Sequence, residues 1–506
     1  MVNDFISGWL SDHSFTLEKL MDVLTYHQDE PILFSGGLFL FLFIGFITIY
    51  IALRRNTLAR IIYVTLFSLY FYYKSSGLWF VLLIFTATSD FIIARCISRT
   101  DHTSRRKAFV TLSLCINLGM LAYFKYFNFL GETISMALGG EWRRLDIFLP
   151  VGISFFTFQS ISYVIDVYRK RIEPLGRWID YLFYVSFFPQ LVAGPIVRAR
   201  DFIPQIYRNP RVTHSEFGEA LFLVVCGLFK KTVISDYISM NFVDRIFDAP
   251  SLYTGVENLL GVYGYALQIY CDFSGYSDMA IGIALALGFR FNINFDSPYQ
   301  SASITEFWRR WHISLSSWLK DYLYISLGGN RKGRIRTYIN LMITMLLGGL
   351  WHGASISFII WGAIHGVSLA IHKWLMGKFS FLKATGAEMS PLSRFFGVLI
   401  TFHIVCFGWI FFRASSVKTV ADILNQIAYN FHPEVFPQFV AGYKGVFAMM
   451  VIGYVSHFMP SRVVNQTREA VTEAPLLVQA AIMATIIFVM IQFKSAGVQP
   501  FIYFQF

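Results

Sequence analysis

Charged residues are scarce in this chain. They make up 14% of its 506 residues, whereas soluble domains carry about a quarter. Hydrophobic residues make up 55%, with 53 phenylalanines among them, and no polar stretch is long enough to form a separate soluble domain. This composition excludes a soluble enzyme and predicts an all-α polytopic membrane protein. We expect one membrane domain over residues 34–506, preceded by an extracytoplasmic amphipathic segment, residues 1–33.

Three further absences narrow the function. The five cysteines are odd in number and form no Cys-x-x-Cys pair, which argues against a disulfide framework and against a zinc site. No metal-ligand spacing surrounds the histidines, so we expect no metal and no bound cofactor. The chain has no internal repeat, and therefore no inverted-repeat signature of a secondary transporter.

The formal charge of +11 does not indicate a nucleic-acid partner, because the basic residues lie in short loops between apolar runs. Arg54 and Arg55 follow the first apolar run and a basic stretch at 95–107 follows the third, whereas the link between them holds only Lys74. This positive-inside pattern predicts an extracytoplasmic N-terminus. About 11 or more spanning helices are expected, over 34–53, 58–73, 78–97, 108–130, 218–238, 256–288, 338–350, 356–376, 394–412, 444–460 and 475–493.

Proline and glycine interrupt the apolar stretch 148–206, most densely in Phe-Phe-Pro-Gln-Leu-Val-Ala-Gly-Pro-Ile-Val-Arg (187–198). Proline removes a backbone donor, and broken backbone at membrane depth persists only where it is buried in protein or lines a cavity. These segments are therefore expected to be re-entrant and to line a chamber. An ordinary kinked span is the alternative.

Two histidines are candidates for chemistry, because an ionisable residue in an apolar segment is costly and usually faces a protein interior or a cavity. His352 lies in Gly-Gly-Leu-Trp-His-Gly-Ala (348–354), and His312 lies in Phe-Trp-Arg-Arg-Trp-His-Ile-Ser-Leu-Ser-Ser-Trp (307–318). A neutral imidazole can act as a general base on a hydroxyl. A packed, hydrogen-bonded histidine would satisfy the pattern equally well.

The residues around the two histidines add local expectations. A single helix over 307–322 would place His312 on its apolar face, and its arginines on the opposite face toward lipid headgroups. The glycines near His352 allow a substrate or another helix to approach it closely. The supporting residues expected around His352 are Asn340, Trp351 and Gly353.

The link Gly-Gly-Asn-Arg-Lys-Gly-Arg-Ile-Arg (328–336) is strongly basic. One interpretation is a positive-inside signal or contact with anionic membrane lipid. The other is a docking surface for a polyanionic acyl donor such as coenzyme A, whose phosphates favour arginine and lysine. The donor-binding candidates are Arg309, Arg310, Arg331, Lys332 and Arg334.

Several ordered stretches together resemble the membrane-bound O-acyltransferase superfamily, in its bacterial alginate O-acetyltransferase branch. They are 150–159, 187–198, 270–278, 307–336, Asn340 to His365, 407–414 and the terminal hexapeptide. The resemblance runs from about residue 34 onward and implies a bundle of spanning helices around a central funnel, in the bacterial cytoplasmic (inner) membrane. It implies that His352 is the catalytic histidine and His312 a second functional one. The terminal Phe-x-Tyr-Phe-x-Phe resembles a motif whose tyrosine is proposed to carry the acyl group, so Tyr503 becomes a candidate relay.

The resemblance also implies a reaction. Acyl groups in this family enter as cytoplasmic thioesters and leave toward an envelope polymer, with a periplasmic SGNH-type partner completing the transfer. The expected donor is acetyl-CoA, and the expected acceptor is a polysaccharide that the sequence does not specify. Two alternatives stay open: D-alanyl transfer from a carrier protein in the same superfamily, and a transporter of envelope precursors that uses the histidines as a proton relay.

Overall fold

The computed structural model of the chain describes residues 17–28, 30–379 and 389–493. No strand occurs within these ranges. Helices predominate, as the composition predicted, because a helix satisfies its own backbone hydrogen bonds in a bilayer. The α-helices are α1 (Leu17–Leu24), α2 (Gly37–Leu53), α3 (Thr57–Ser76), α4 (Phe80–Ser98), α5 (Thr103–Leu121), α6 (Phe127–Ala137), α7 (Ile153–Tyr168), α8 (Trp178–Ser186), α9 (Phe188–Leu191), α10 (Ala199–Ile206), α11 (His214–Leu228), α12 (Asp236–Ile238), α13 (Asp244–Asp248), α14 (Gly255–Ala286), α15 (Ile304–Arg310), α16 (Ile313–Trp318), α17 (Gly333–His352), α18 (Ile356–Lys378), α19 (Pro391–Arg413), α20 (Val417–Tyr429), α21 (Phe436–Gly442), α22 (Lys444–His457), α23 (Ser461–Thr472) and α24 (Leu476–Phe493).

Each predicted span falls largely on helix, which confirms the all-α polytopic architecture. By length and composition alone, five helical runs in the described ranges suffice to cross a membrane. Pro433–Gly442, which includes α21, makes a sixth together with α22 if that pair, bent by 100°, is one span. The other predicted spans are shorter helices, such as α2, or helices with many buried polar residues, such as α14. The five runs are Thr57–Ser98, Thr103–Ala137, Ile356–Lys378, Pro391–Arg413 and Leu476–Phe493.

The described ranges contain four π-helical turns, Ala122–Tyr126, Phe229–Ser235, Ser239–Val243 and Leu319–Tyr324. Each of the first three joins two helices without a break, and the fourth extends α16. Such turns are rare and often occur at functional sites. The first and the last of them contact α17, the helix that carries His352.

The core of the proline-rich stretch is buried in protein, one of the two settings expected for interrupted backbone; that it is re-entrant and lines a chamber stays a prediction. Every residue from 180 to 199 is buried, including the non-helical part at 192–198. The ring of Phe188 contacts those of Phe46 in α2 and Phe67 in α3, at centroid distances of 5.5 and 5.1 Å. This packing places the irregular backbone against the first long helices rather than against lipid.

Helices α17 and α18 cross at two glycines. A Cβ on Gly349 would overlap the carbonyl oxygen of Phe358, and a Cβ on Gly362 would overlap that of Met345. The two backbones therefore touch directly, which fixes the C-terminal part of α17, and with it His352, against α18.

The described part of the N-terminal segment packs on α3. The hydroxyl of Tyr70 donates to the carbonyl oxygen of Leu24 at 3.1 Å, and Lys74 Nζ donates to those of Val23, at 2.9 Å, and Thr25. Lys74 is buried. A tyrosine and a lysine of α3 thus bond three consecutive carbonyl groups at the end of α1.

Candidate active site

His352 is the last residue of α17 and is 3% exposed. Aromatic rings enclose its imidazole, since the ring centroids of Trp351, Trp361 and Phe412 lie 5.0, 5.0 and 5.1 Å from that of His352. Gly353 ends the helix in an extended conformation, and a Cβ there would overlap a neighbouring aromatic ring. Two of the expected supporting residues, Trp351 and Gly353, therefore lie directly beside the histidine.

The single helix expected over 307–322 is wrong. Helix α15 ends at Arg310, and His312 adopts a left-handed conformation with φ +43° before α16 begins. A neighbouring loop holds the break, because Ile313 N donates to the carbonyl oxygen of Asn294 at 2.9 Å. Hydrogen bonds from outside the helix replace those within it, which a helical wheel cannot anticipate.

The side chain of Asn294 orients the His312 imidazole, which is fully buried. Asn294 Oδ1 accepts from Ser314 N at 3.1 Å and from Ser314 Oγ at 2.9 Å, so Nδ1 of His312, 3.2 Å away, must donate to it as well. Nε2 of His312 then carries the lone pair, and it has no hydrogen-bond partner in the described part of the chain. This tautomer offers a proton acceptor to a group that approaches Nε2.

Trp351 lies between the two histidines. Its ring centroid is 5.0 Å from that of His352 and 6.1 Å from that of His312. All three residues are buried. The structure therefore joins the two histidines of the sequence motifs in one buried, aromatic site.

Asn340, the third expected supporting residue, lies away from this site. It precedes His352 by 12 positions in the same helix, which corresponds to about 18 Å. Its Nδ2 donates to the carbonyl oxygen of Gly329 at 3.0 Å. Asn340 therefore holds the basic link rather than the histidine. The candidate relay Tyr503 lies outside the described residues.

The basic link lies at the opposite end of α17 from His352. A helix of 20 residues is about 30 Å long. Arg310 already pairs with Glu306 at 3.0 Å and with Asp296 at 3.6 Å. The other donor-binding candidates are exposed and form no ion pair with any residue that the structure describes; they are Arg309, Arg331, Lys332 and Arg334.

Three residues of the site were not singled out by the sequence: Asn294, Trp361 and Phe412. Asn294 lies in a loop without a recognisable motif, and its role depends on hydrogen bonds to a segment distant in sequence. Trp361 and Phe412 come from α18 and α19 and reach His352 only through helix packing. The signal in the sequence was that Trp361 and Phe412 lie in two of the stretches that carry the family resemblance, Asn340 to His365 and 407–414.

Replacing Asn294 with alanine should lower acyl-transfer turnover by roughly 10- to 100-fold, because the His312 tautomer is then no longer fixed and a lost hydrogen bond of this kind costs about 1–3 kcal/mol. Asn258→Ala is the matched control, since Asn258 is equally buried and bonds backbone carbonyls elsewhere. Turnover per folded molecule, measured for both variants, checks the expectation. Equal losses in the two would contradict it.

Fold and site define a polytopic membrane protein with a buried histidine pair, and the comparisons with known proteins identify its class. The model of the membrane-bound O-acyltransferase family matches residues 177–416. "Probable alginate O-acetylase AlgI" of Pseudomonas syringae is 45% identical over 62% of this chain and 60% of its own length, less than two thirds. The Pseudomonas aeruginosa protein of the same name is 41% identical over 76% and 72%, and "Peptidoglycan O-acetyltransferase" of Helicobacter pylori is 36% identical over 80% and 81%.

The chain belongs to the membrane-bound O-acyltransferase family and, within it, to the branch that contains the alginate O-acetylases. The resemblance that the motifs indicated is therefore confirmed, as is the expectation of an acyltransferase.

Proposed function

We propose that the chain transfers an acetyl group from a cytoplasmic thioester across the membrane, for O-acetylation of an envelope polysaccharide or an exopolysaccharide. The proposal rests on one observation: in a member of an O-acyltransferase family, the buried side chains of His352 and His312 both contact the ring of Trp351. The names of its relatives, alginate O-acetylase and peptidoglycan O-acetyltransferase, support acetyl as the transferred group and a polysaccharide as the acceptor.

His352 acts as the general base in this proposal. It takes the proton of an attacking hydroxyl, whose oxygen bonds to the carbonyl carbon of the thioester; the C–S bond then breaks, and the proton passes to the leaving thiolate. The first acceptor is the phenol of Tyr503, which needs such a base because a phenol, with a pKa near 10, is a weak nucleophile at neutral pH. Nε2 of His312 carries a lone pair and cannot donate to an oxyanion, so the proposed role of His312 is to position the reacting groups, while the single proton of the attacking hydroxyl goes to His352.

Acetyl-CoA is the proposed donor, with its phosphates on the exposed cations of the basic link. The link lies about 30 Å from His352 along α17. The reactive thioester must therefore sit at the end of a long flexible arm, as it does in coenzyme A. Arg331, Lys332 and Arg334 of the link would hold the phosphates, together with the exposed Arg309 of α15. Arg310 contributes less because two carboxylates already bind it.

The proposed location is the bacterial cytoplasmic membrane, with the N-terminus outside. In this orientation the basic link faces the cytoplasm and the His352 end of α17 lies toward the outer face, so an acetyl group that enters with a cytoplasmic donor leaves on the other side. Residues 34–506 form the membrane domain and residues 1–33 its extracytoplasmic N-terminal segment. A periplasmic SGNH-type partner then passes the acetyl group to the polysaccharide.

Mass spectrometry of the C-terminal peptide, after the purified full chain is incubated with isotopically labelled acetyl-CoA, tests the proposal. We expect label on Tyr503, no label there in His352→Ala, and none in Tyr503→Phe. Thiol release without label on Tyr503 would mean that acetyl passes to another residue or to water, and Tyr503 would then not be the relay. If only a D-alanyl carrier protein gave label, the acetyl-CoA proposal would be wrong.

A further inference from the structure

The π-helical turn Ala122–Tyr126 reaches the end of the helix that carries His352. Lys125 Nζ donates to the carbonyl oxygens of Trp351, at 2.7 Å, and His352, at 2.9 Å. The neighbouring Tyr126 hydroxyl donates to the carbonyl oxygen of Leu350 at 2.7 Å. Two adjacent side chains thus bond the last three carbonyl groups of α17.

These carbonyl groups need partners from outside the helix. The last carbonyls of an α-helix lack intrahelical donors, and each costs free energy if it is buried without one. A glycine that follows a helix often supplies donors by turning left-handed, but Gly353 is extended, with φ −161° and ψ 151°. Lys125 and Tyr126 fill that role, and the positive charge of Lys125 also matches the negative end of the helix dipole.

Using a lysine to donate hydrogen bonds to these carbonyl groups costs free energy, because its side chain is taken out of water. Lys125 is partly buried, lies in the apolar run Thr103–Ala137, and forms no ion pair with any carboxylate of the described ranges. An ionisable side chain at such a place is expensive unless function uses it. A serine hydroxyl would satisfy one carbonyl, whereas the Lys125 ammonium group bonds two and fixes their separation.

We propose that Lys125 and Tyr126 are positioning residues of the acyl transfer, which set the place and rotation of the last turn of α17 and thereby of the His352 imidazole. The inference rests on the proposed role of His352 as the base. The π-helical turn explains why adjacent side chains both reach α17, since its wider backbone changes the direction in which successive side chains project.

The chain contains a matched control. Tyr70 and Lys74 of α3 bond the carbonyl groups of Val23, Leu24 and Thr25 at the end of α1, in the same chemical arrangement. Replacing Lys74 removes a buried lysine that caps a helix without touching α17. Loss of capping in general and loss of His352 positioning can therefore be separated.

The test measures thiol release from acetyl-CoA by the purified full chain in lipid nanodiscs, for wild type, Lys125→Met, Lys125→Arg, Tyr126→Phe and Lys74→Met. Each molecule takes up one acetyl group in this assay, so kcat is here the single-turnover rate constant at saturating acetyl-CoA, and KM is the acetyl-CoA concentration that gives half of it. We expect Lys125→Met to lower kcat by roughly 10- to 100-fold, because a misplaced catalytic group costs about that much, with KM for acetyl-CoA within about twofold. Lys125→Arg keeps the charge and the donors and should recover most of kcat. Tyr126→Phe should lower kcat less than Lys125→Met, and Lys74→Met should leave kcat per folded molecule near the wild-type value.

Other outcomes overturn the inference. Wild-type kcat in Lys125→Met, beside an inactive His352→Ala, would show that the histidine acts without this support. Equal losses in Lys125→Met and Lys74→Met, or no recovery in Lys125→Arg, would reduce Lys125 to a structural residue. Full activity in His352→Ala would contradict the proposed role of His352 as the base, and this inference would then fail because it depends on that role.

Discussion

Acyl transfer should fall by roughly 10²- to 10⁴-fold when His352 is replaced with alanine, because that is the usual contribution of a positioned general base. The rings of Trp351, Trp361 and Phe412 enclose the imidazole, so alanine leaves a cavity lined by side chains that do not act as a base. His352→Gln should be equally inactive. Glutamine retains much of the side-chain volume, so inactivity in both variants would trace the loss to the missing base rather than to the cavity.

The measurement is thiol release from acetyl-CoA, normalised to the amount of folded protein. His457→Ala is the control, since His457 is equally buried and its Nε2 accepts from Tyr299 N at 3.1 Å outside the candidate site. It should retain most of its turnover per folded molecule. Normal turnover in His352→Ala would remove His352 from the reaction.

Two adjacent glycines of α17 should respond in opposite ways to alanine. Gly349→Ala should destabilise the protein and lower turnover more than about tenfold, because its Cβ would overlap the backbone oxygen of Phe358 and lie 3.3 Å from Gly362 Cα, and overpacking of this kind costs about 1–3 kcal/mol. Backbone cannot swing aside as a side chain can. Relief therefore requires α17 and α18 to separate, which moves His352.

Gly348→Ala is the matched control for this prediction. Its Cβ would meet only the end of the Leu319 side chain, at 3.3 Å. Alanine is a better helix former than glycine by about 1 kcal/mol, so this variant should be as stable as wild type or more so. The unfolding temperature and the turnover of both purified variants check this prediction. A destabilised Gly348→Ala beside an unaffected Gly349→Ala would refute the helix crossing.

Local patterns predicted a good part of this fold. Apolar runs fall on helices because a membrane segment must satisfy its own backbone, and that constraint can be read residue by residue. The prolines of 187–198 correctly indicated a segment buried in protein, for the same reason. The helix over 307–322 failed, because its apolar periodicity contains no information about the loop at Asn294 that interrupts it.

The residues of the candidate site were also predicted only in part. The sequence motifs identified His312, His352, Trp351 and Gly353, and the structure places all four together. Asn340 belongs to the same apolar segment as His352, yet one helix carries the two about 18 Å apart. The glycines beside His352 allowed either a substrate or a helix to come close, and the structure shows that at Gly349 it is helix α18.

The sequence by itself determined that this protein is a helical membrane protein of the O-acyltransferase type, and it predicted two histidines as the candidate reactive groups. Composition, hydropathy and ordered motifs are properties of the sequence itself, so they are known before the chain folds. Tertiary structure alone decided the tautomer of His312, the aromatic enclosure of His352 and the capping of α17 by Lys125 and Tyr126. Each of these joins residues far apart in the chain, and such contacts exist only once the helices have packed.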